Sequence, residues 1–167
     1  MSDVNPNLFV VRELPEAELR EEVRRVLALV HEVLPASAEV REVGSTAVPG
    51  VIGKGDIDLL ARAPKEHFDA LRAALDARFE RNPDQLSNAQ YQGYRVLSTL
   101  DVAIQATVQG GPYDDFVEFL DALSSDPSEV RAYNALKRAW NGLPMSDYRL
   151  AKGAFIRRVL ERRGARS

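Results

Sequence analysis

VREVGSTAVPGVIGKGDIDLL, residues 40–60, is the stretch on which the reading of this chain turns. It starts inside a predicted strand, Ala38 to Val43, and runs into GSTAVPGVIGKG, where four glycines and a proline fall within twelve residues. That density marks either a functional loop or a linker. A second strand is predicted from Asp56 to Ala61, because Ile57, Leu59 and Ala61 alternate with Asp56, Asp58 and Leu60, and Pro64 closes it.

Asp56 and Asp58 are two residues apart on that strand, so their side chains leave the same face and can converge on one cation. Paired carboxylates give the hard oxygen environment that magnesium prefers. In phosphoryl and nucleotidyl transfer such ions clamp the attacking and leaving oxygens. Two acids on the wet face of a sheet have the same spacing, so the pair alone does not separate a metal site from a solvated surface. Gly44 and Ser45 add to it. They fall where a strand ends and a turn begins, which puts free backbone N–H groups and a hydroxyl where a triphosphate can be held. The plainer alternative is a glycine turn with Ser45 or Thr46 capping a short helix.

Further along, LDVAIQATV places Leu100, Val102, Ile104, Ala106 and Val108 on one apolar face and Asp101, Ala103, Gln105 and Thr107 on the other. Asp101 is therefore either a third acid for the same site or the start of a strand at the sheet's wet edge. Lys54, beside the acids, either neutralises a phosphate or is a solvated loop lysine. His31 and His67 have no partners at ligand spacing.

Helices flank these strands. Residues 15–34 carry Leu19, Val23, Val26, Leu27, Val30 and Leu34 at helical spacing, and a helix from Lys65 to about Phe79 shows Phe68, Leu71, Leu75 and Phe79 on one face. RNPDQLSNAQ reads as a polar loop and Tyr94 to Thr99 as a strand. After Gly110-Gly111-Pro112 the chain turns helical, with stripes Phe116, Phe119, Leu120, Leu123 and Val130, Tyr133, Leu136, Trp140. Asp126 and Glu129 suit a helix start, and Ser146 is placed as the cap of a last helix that buries Tyr148, Ala151, Phe155 and Val159. The expected fold is α+β, a mixed sheet with packed helices. It forms one domain over residues 1–167, with a sheet-containing core over 1–110 and a helical lobe over 111–167.

Composition limits the chemistry. Without cysteine there are no disulfides, thiolate metal sites or cysteine nucleophiles, and two isolated histidines make no histidine-rich centre. No run approaches the roughly 20 apolar residues of a membrane span, and the first residues lack an export signal, so a cytoplasmic protein without a membrane partner is expected. The net charge of −3 is unevenly spread: from Arg149 onward seven basic residues face one acid, Glu161, a balance of +6 that leaves −9 for residues 1–148. An acidic body argues against general nucleic-acid binding, whereas a basic terminal helix suits phosphates.

Residues 40–60 resemble the signature of the GrpB family, a branch of the nucleotidyltransferase-fold superfamily whose pattern joins a GSTAVPG loop to a D-x-D strand. YNALKRA (residues 133–139) and YRLAKGAFI (residues 148–156) are similar to the family's helical half. The resemblance covers roughly residues 38–160. It implies that Gly44 and Ser45 form the phosphate loop, that Asp56 and Asp58 hold metal, and that Lys137 and Lys152 are basic positions of the nucleotide site. Read from the helix pattern alone, Lys137 belongs to a charged outer face. Many relatives carry His-x-His near Asp101, where this chain has DVAIQ. The implied activity is magnesium-dependent transfer of an NMP group from an NTP to a hydroxyl acceptor, with Asp101 as base. The alternative is a nucleotide-binding or accessory module of the same fold that performs no transfer.

Overall fold

A computed structural model describes residues 5–166. Its elements run α1 (Glu16–Val33), β1 (Glu39–Val43), a 3-10 turn (Ser45–Ala47), β2 (Ile57–Ala63), a 3-10 turn (Lys65–His67), α2 (Phe68–Asp76), β3 (Glu80–Arg81), β4 (Ser87–Asn88), β5 (Tyr91–Arg95), β6 (Val102–Val108), α3 (Phe116–Ser125), α4 (Pro127–Trp140) and α5 (Met145–Arg166). The sheet order is β1-β2-β6-β5-β3, with β4 paired to β5.

β2 and β6 run parallel in the centre, while β1 lies antiparallel to β2 and β5 antiparallel to β6. The end of β1 and the beginnings of β2 and β6 therefore meet at one edge of the sheet.

The expected alternation decides which face is which. Ile57, Leu59, Ala61 and Ala63 lie in register with Val102, Ile104, Ala106 and Val108, and this apolar face packs on Val26, Val30, Phe68, Leu71 and Leu75 from α1 and α2. The opposite face is not left wet. Leu60 is fully buried there, and it joins Val43 in a second core with Leu120, Leu123, Tyr133, Phe155 and Val159 of α3, α4 and α5. Central parallel strands are covered on both sides in this way, so on this face of β2 the buried Leu60 separates two polar positions, Asp58 at the start and Arg62 near the end.

Several boundaries differ from the sequence expectation for physical reasons. β5 starts at Tyr91 and stops at Arg95, not at Tyr94 and Thr99. Its Gln92 is buried, and the side chain is satisfied by Ser87 Oγ at 2.6 Å and by the Gly93 carbonyl at 3.0 Å, so polar residues form the strand. Residues 96–101 form a loop in which Leu100 N–H donates to Ser98 Oγ (3.0 Å), which donates to Glu22 (2.9 Å). β6 accordingly begins at Val102. The loop expected in RNPDQLSNAQ holds β4 and part of β3, and the helix expected over 65–79 is a 3-10 turn followed by α2, which ends at Asp76. Ser146 is not the cap of α5: the helix already begins at Met145, with Tyr148 N–H donating to the Pro144 carbonyl at 3.1 Å. At α4 the expectation of a capped start matches the geometry, since Asp126 accepts from the Ser128 N–H at 2.9 Å ahead of Pro127.

The first described residues form an extended strap. Phe9 N–H donates to the Leu143 carbonyl (2.8 Å), Gly142 N–H donates to the Phe9 carbonyl (2.7 Å), and Arg12 N–H donates to the Gly53 carbonyl (2.9 Å). The strap thus fastens the start of α5 to the glycine loop. Among the described residues, no helix is long and apolar enough to cross a membrane.

Candidate functional site

The loop between β1 and β2 is held rigidly, and α4 does the holding. Asn134 Oδ1 accepts from the Ile52 N–H at 2.9 Å, and its Nδ2 donates to the Gly50 carbonyl at 2.8 Å. One helical turn later, Lys137 Nζ donates to the Ile52 carbonyl at 2.6 Å and to Ser45 Oγ. Lys137 is 2% exposed, and its ammonium sits 4.4 Å from the Tyr133 ring centroid. It is not on a charged outer face, as the helix pattern alone had suggested; Arg138, its neighbour, is exposed. The three-residue spacing of Asn134 and Lys137 puts both on the face that meets the loop.

Two glycines let this loop close on itself. Gly44 has φ +78°, and a methyl placed on it would stand 2.6 Å from Asp58 Oδ2. At Gly53 a methyl would stand 2.9 Å from Ser45 Cβ. Side chains at either position would push the acid or the serine away.

Burial and charge act together here. The Asp58 carboxyl is pushed up to about 7, first by burial and then by the Asp56 charge, while Lys152 and Lys54 pull the other way. Lys54 Nζ lies 3.4 Å from Asp56 Oδ2, so this loop lysine serves the acid pair. Lys137 is pushed down to about 7 by burial and by the positive charge of Lys152. Asp56 has Lys54 as its ion-pair partner, and Lys54, Lys137 and Lys152 all line the space in front of the two acids.

A cavity of about 400 Å³ opens at this edge, and Gly44, Ser45, Asp56, Asp58, Lys137 and Lys152 all line it. Its volume is in the range of small-molecule sites. Its chemistry divides in two: Ser45 Oγ, Lys137, Lys152 and the neighbouring Arg149 suit phosphates, and the Asp56 and Asp58 oxygens suit a hard divalent cation.

Asp101 is placed differently. It precedes β6 by one residue and is exposed. Its carbonyl accepts the Ile57 N–H at 2.8 Å, and it lines an adjacent cavity rather than this one. Its charge still reaches Asp58 as the weakest of the influences on that carboxyl. Among the described residues, no three or more His, Cys, Asp or Glu side chains gather as a metal-binding group.

The cavity residues that the sequence did not point to include Gln105, Phe9 and Tyr148. Gln105 lies on β6 with Ala103 on the face shared by Asp58, and its Oε1 is buried without a hydrogen-bond partner. The alternation of DVAIQATV had already put it on the polar face, but a glutamine there carries no obvious chemistry. Phe9 and Tyr148 stack at 3.7 Å between ring centroids and form an aromatic wall of the cavity. Tyr148 read as core, and nothing in the sequence paired it with a residue in the strap.

Comparison with known proteins agrees with this architecture. The sequence pattern of the GrpB protein family matches residues 13–162. The chain is 32% identical over 141 residues to a UPF0157 protein of Vibrio cholerae, covering 84% of this chain and 75% of that protein. The crystal structure of the conserved protein GrpB from Enterococcus faecalis superposes with a TM-score of 0.65 at 18% identity, over 92% of this chain and 96% of that one. A Cid1 poly(U) polymerase structure bound to MgATP superposes with a TM-score of 0.51 at 14% identity, over 76% of this chain and 42% of that one. The chain belongs to the GrpB family and has the mixed α+β fold of the nucleotidyltransferases.

Proposed function

We propose that the protein is a metal-dependent nucleotidyltransferase that moves an NMP group from an NTP to a hydroxyl acceptor. The observation that carries this reading is the cavity in which the Asp56 and Asp58 carboxylates stand beside Ser45, Lys137 and Lys152. A carboxylate pair alone, or a phosphate-sized basic pocket alone, would have several uses; their meeting across Gly44 suits a nucleotide with its cation.

The donor set fits a hard divalent cation such as magnesium. Asp58 is raised by burial and by the charge of Asp56, which is the condition a cation relieves. When bound, the ion supplies positive charge to the reacting phosphate oxygens. Ser45 and the backbone of the Gly44 loop orient the phosphates, Lys137 fixes that loop from beneath, and Lys152 with Arg149 neutralises the pyrophosphate. Phe9 and Tyr148 limit water on one wall of the cavity.

A second reading has one observation in its favour. The third carboxylate is not gathered with the pair, so nucleotide binding without transfer, in an accessory role, is the competing proposal. Pyrophosphate release from a panel of nucleotides and hydroxyl acceptors separates the two. Transfer predicts magnesium-dependent release that Asp56→Asn abolishes; tight nucleotide binding with no release from any pairing would leave only the accessory role.

A further inference from the structure

We infer that the acceptor enters through the second cavity, beyond Lys54, and that it is an anionic hydroxyl compound whose charge is held by Arg12. This rests on the transferase reading above. The cavity is about 450 Å³, and Arg12, Lys54, Thr99, Leu100 and Asp101 line it. Lys54 also lines the first cavity, so the two spaces meet at the residue that pairs with Asp56.

Topology sets the direction of approach. The sheet order β1-β2-β6 puts the Gly44–Ser45 loop on one side of the Asp56/Asp58 strand and Asp101 on the other. In an in-line displacement the attacking and leaving oxygens lie on opposite sides of the phosphorus. With pyrophosphate leaving toward Ser45, Lys137 and Lys152, the attacking oxygen comes from the side of β6. Register agrees: Ile57 pairs with Val102, and the Ile57 N–H to Asp101 carbonyl bond of 2.8 Å sets the residues just ahead of the two strands, Asp56 and Asp101, side by side.

Charge sets the class of compound. The guanidinium of Arg12 and the carboxylate of Asp101 make no hydrogen bond or ion pair with any other side chain among the described residues, though both line this cavity. The backbone of Arg12 is nonetheless fixed, because its N–H donates to the Gly53 carbonyl at 2.9 Å. An unpaired guanidinium on an anchored segment matches a phosphate or carboxylate through two parallel hydrogen bonds. In the transfer step the acceptor hydroxyl oxygen forms a bond to the α-phosphorus and the bond from that phosphorus to the bridging oxygen breaks. The hydroxyl proton passes to Asp101, and the electron pair leaves with pyrophosphate.

The test is a backbone-amide NMR titration of the full chain with sn-glycerol 3-phosphate, glycerate and uncharged glycerol, in wild type, Arg12→Ala and Arg12→Lys. One or both anions are expected to shift the amides of residues 12–14 and 99–101, the two anions telling phosphate from carboxylate recognition, while glycerol shifts neither. Arg12→Ala should weaken the response at least tenfold and Arg12→Lys should restore part of it. Absence of shifts at those residues, or equal shifts in Arg12→Ala, overturns the inference. A parallel titration with MgATP reports on the amides of Gly44 and Ser45. Its failure would count against the transferase reading, whereas a normal MgATP response without an anion response would sink only the acceptor site.

Discussion

The Asp58 carboxylate lies so close to the backbone of Gly44 that a methyl there would stand 2.6 Å from Oδ2, at a residue whose φ is +78°. Position and conformation therefore both demand glycine. Gly44→Ala is expected to cost about 1–3 kcal/mol, combining left-handed strain with displacement of the acid, and to remove magnesium–nucleotide binding. Gly142, at φ +84° with nothing within 4 Å of an added methyl, is the control. Gly142→Ala should cost only the strain, about 1 kcal/mol, and leave binding intact. Urea denaturation and nucleotide titration of both variants check this; equal losses of binding would show that Asp58 does not depend on the contact.

Asn134 makes two hydrogen bonds to the loop and is itself buried, so it is the cheapest point at which to loosen the glycine segment without touching any charged group. Asn134→Asp keeps the acceptor for the Ile52 N–H but turns a second oxygen toward the Gly50 carbonyl. The expected cost is about 2–3 kcal/mol, because a buried donor is replaced by a charge facing an acceptor. Hydrogen exchange should quicken at residues 50–53 and stay unchanged in β5 and β6. Uniform quickening across the sheet would mean that Asn134 supports the core rather than the loop.

These contacts show what the sequence could and could not say. Alternation in GDIDLL and LDVAIQATV revealed the sheet faces, and the GS–DxD spacing led to the cavity, because both are local patterns. Lys137 looked like a surface lysine since its neighbour Arg138 is one, and only the packing of α4 on a loop 85 residues earlier turns it inward. Leu60 broke the expected wet face for the same reason: α3, α4 and α5 cover a strand that the local pattern left exposed. β5 was misplaced because Gln92 and Gly93 lack strand character and are held in the sheet by pairing with β6, and at Gln92 also with β4, which no local pattern shows.

Lys137 also links the site to pH. Its amine is depressed to about 7 in the folded protein by burial and by Lys152, against an unfolded value of about 10.4. Between those values the unfolded chain binds more protons, so this group makes stability rise with pH from about 7 to about 10. Lys137→Met removes the group. The stability of wild type relative to Lys137→Met should therefore increase with pH across that window, by no more than about 1.4 kcal/mol per pH unit, with Lys137→Met comparing best at pH 6. Denaturation at pH 6, 7.5 and 9 measures it. A difference independent of pH would show that Lys137 keeps its proton throughout, as a permanent cation under the loop.

The central claim is that Asp56 and Asp58 hold a divalent cation with a nucleotide, and its most direct test is the melting temperature of wild type and Asp58→Asn with and without magnesium and NTP. Saturation at a hundred times Kd adds about 2.7 kcal/mol, a rise of about 5–10 °C for a chain of this size. Without ligand, Asp58→Asn should melt at the same temperature or higher, because one of two crowded carboxylates loses its charge. With ligand, wild type should rise and Asp58→Asn should not. A wild type that does not respond to magnesium with any common nucleotide, together with an Asp58→Asn variant that simply melts lower, would contradict the account.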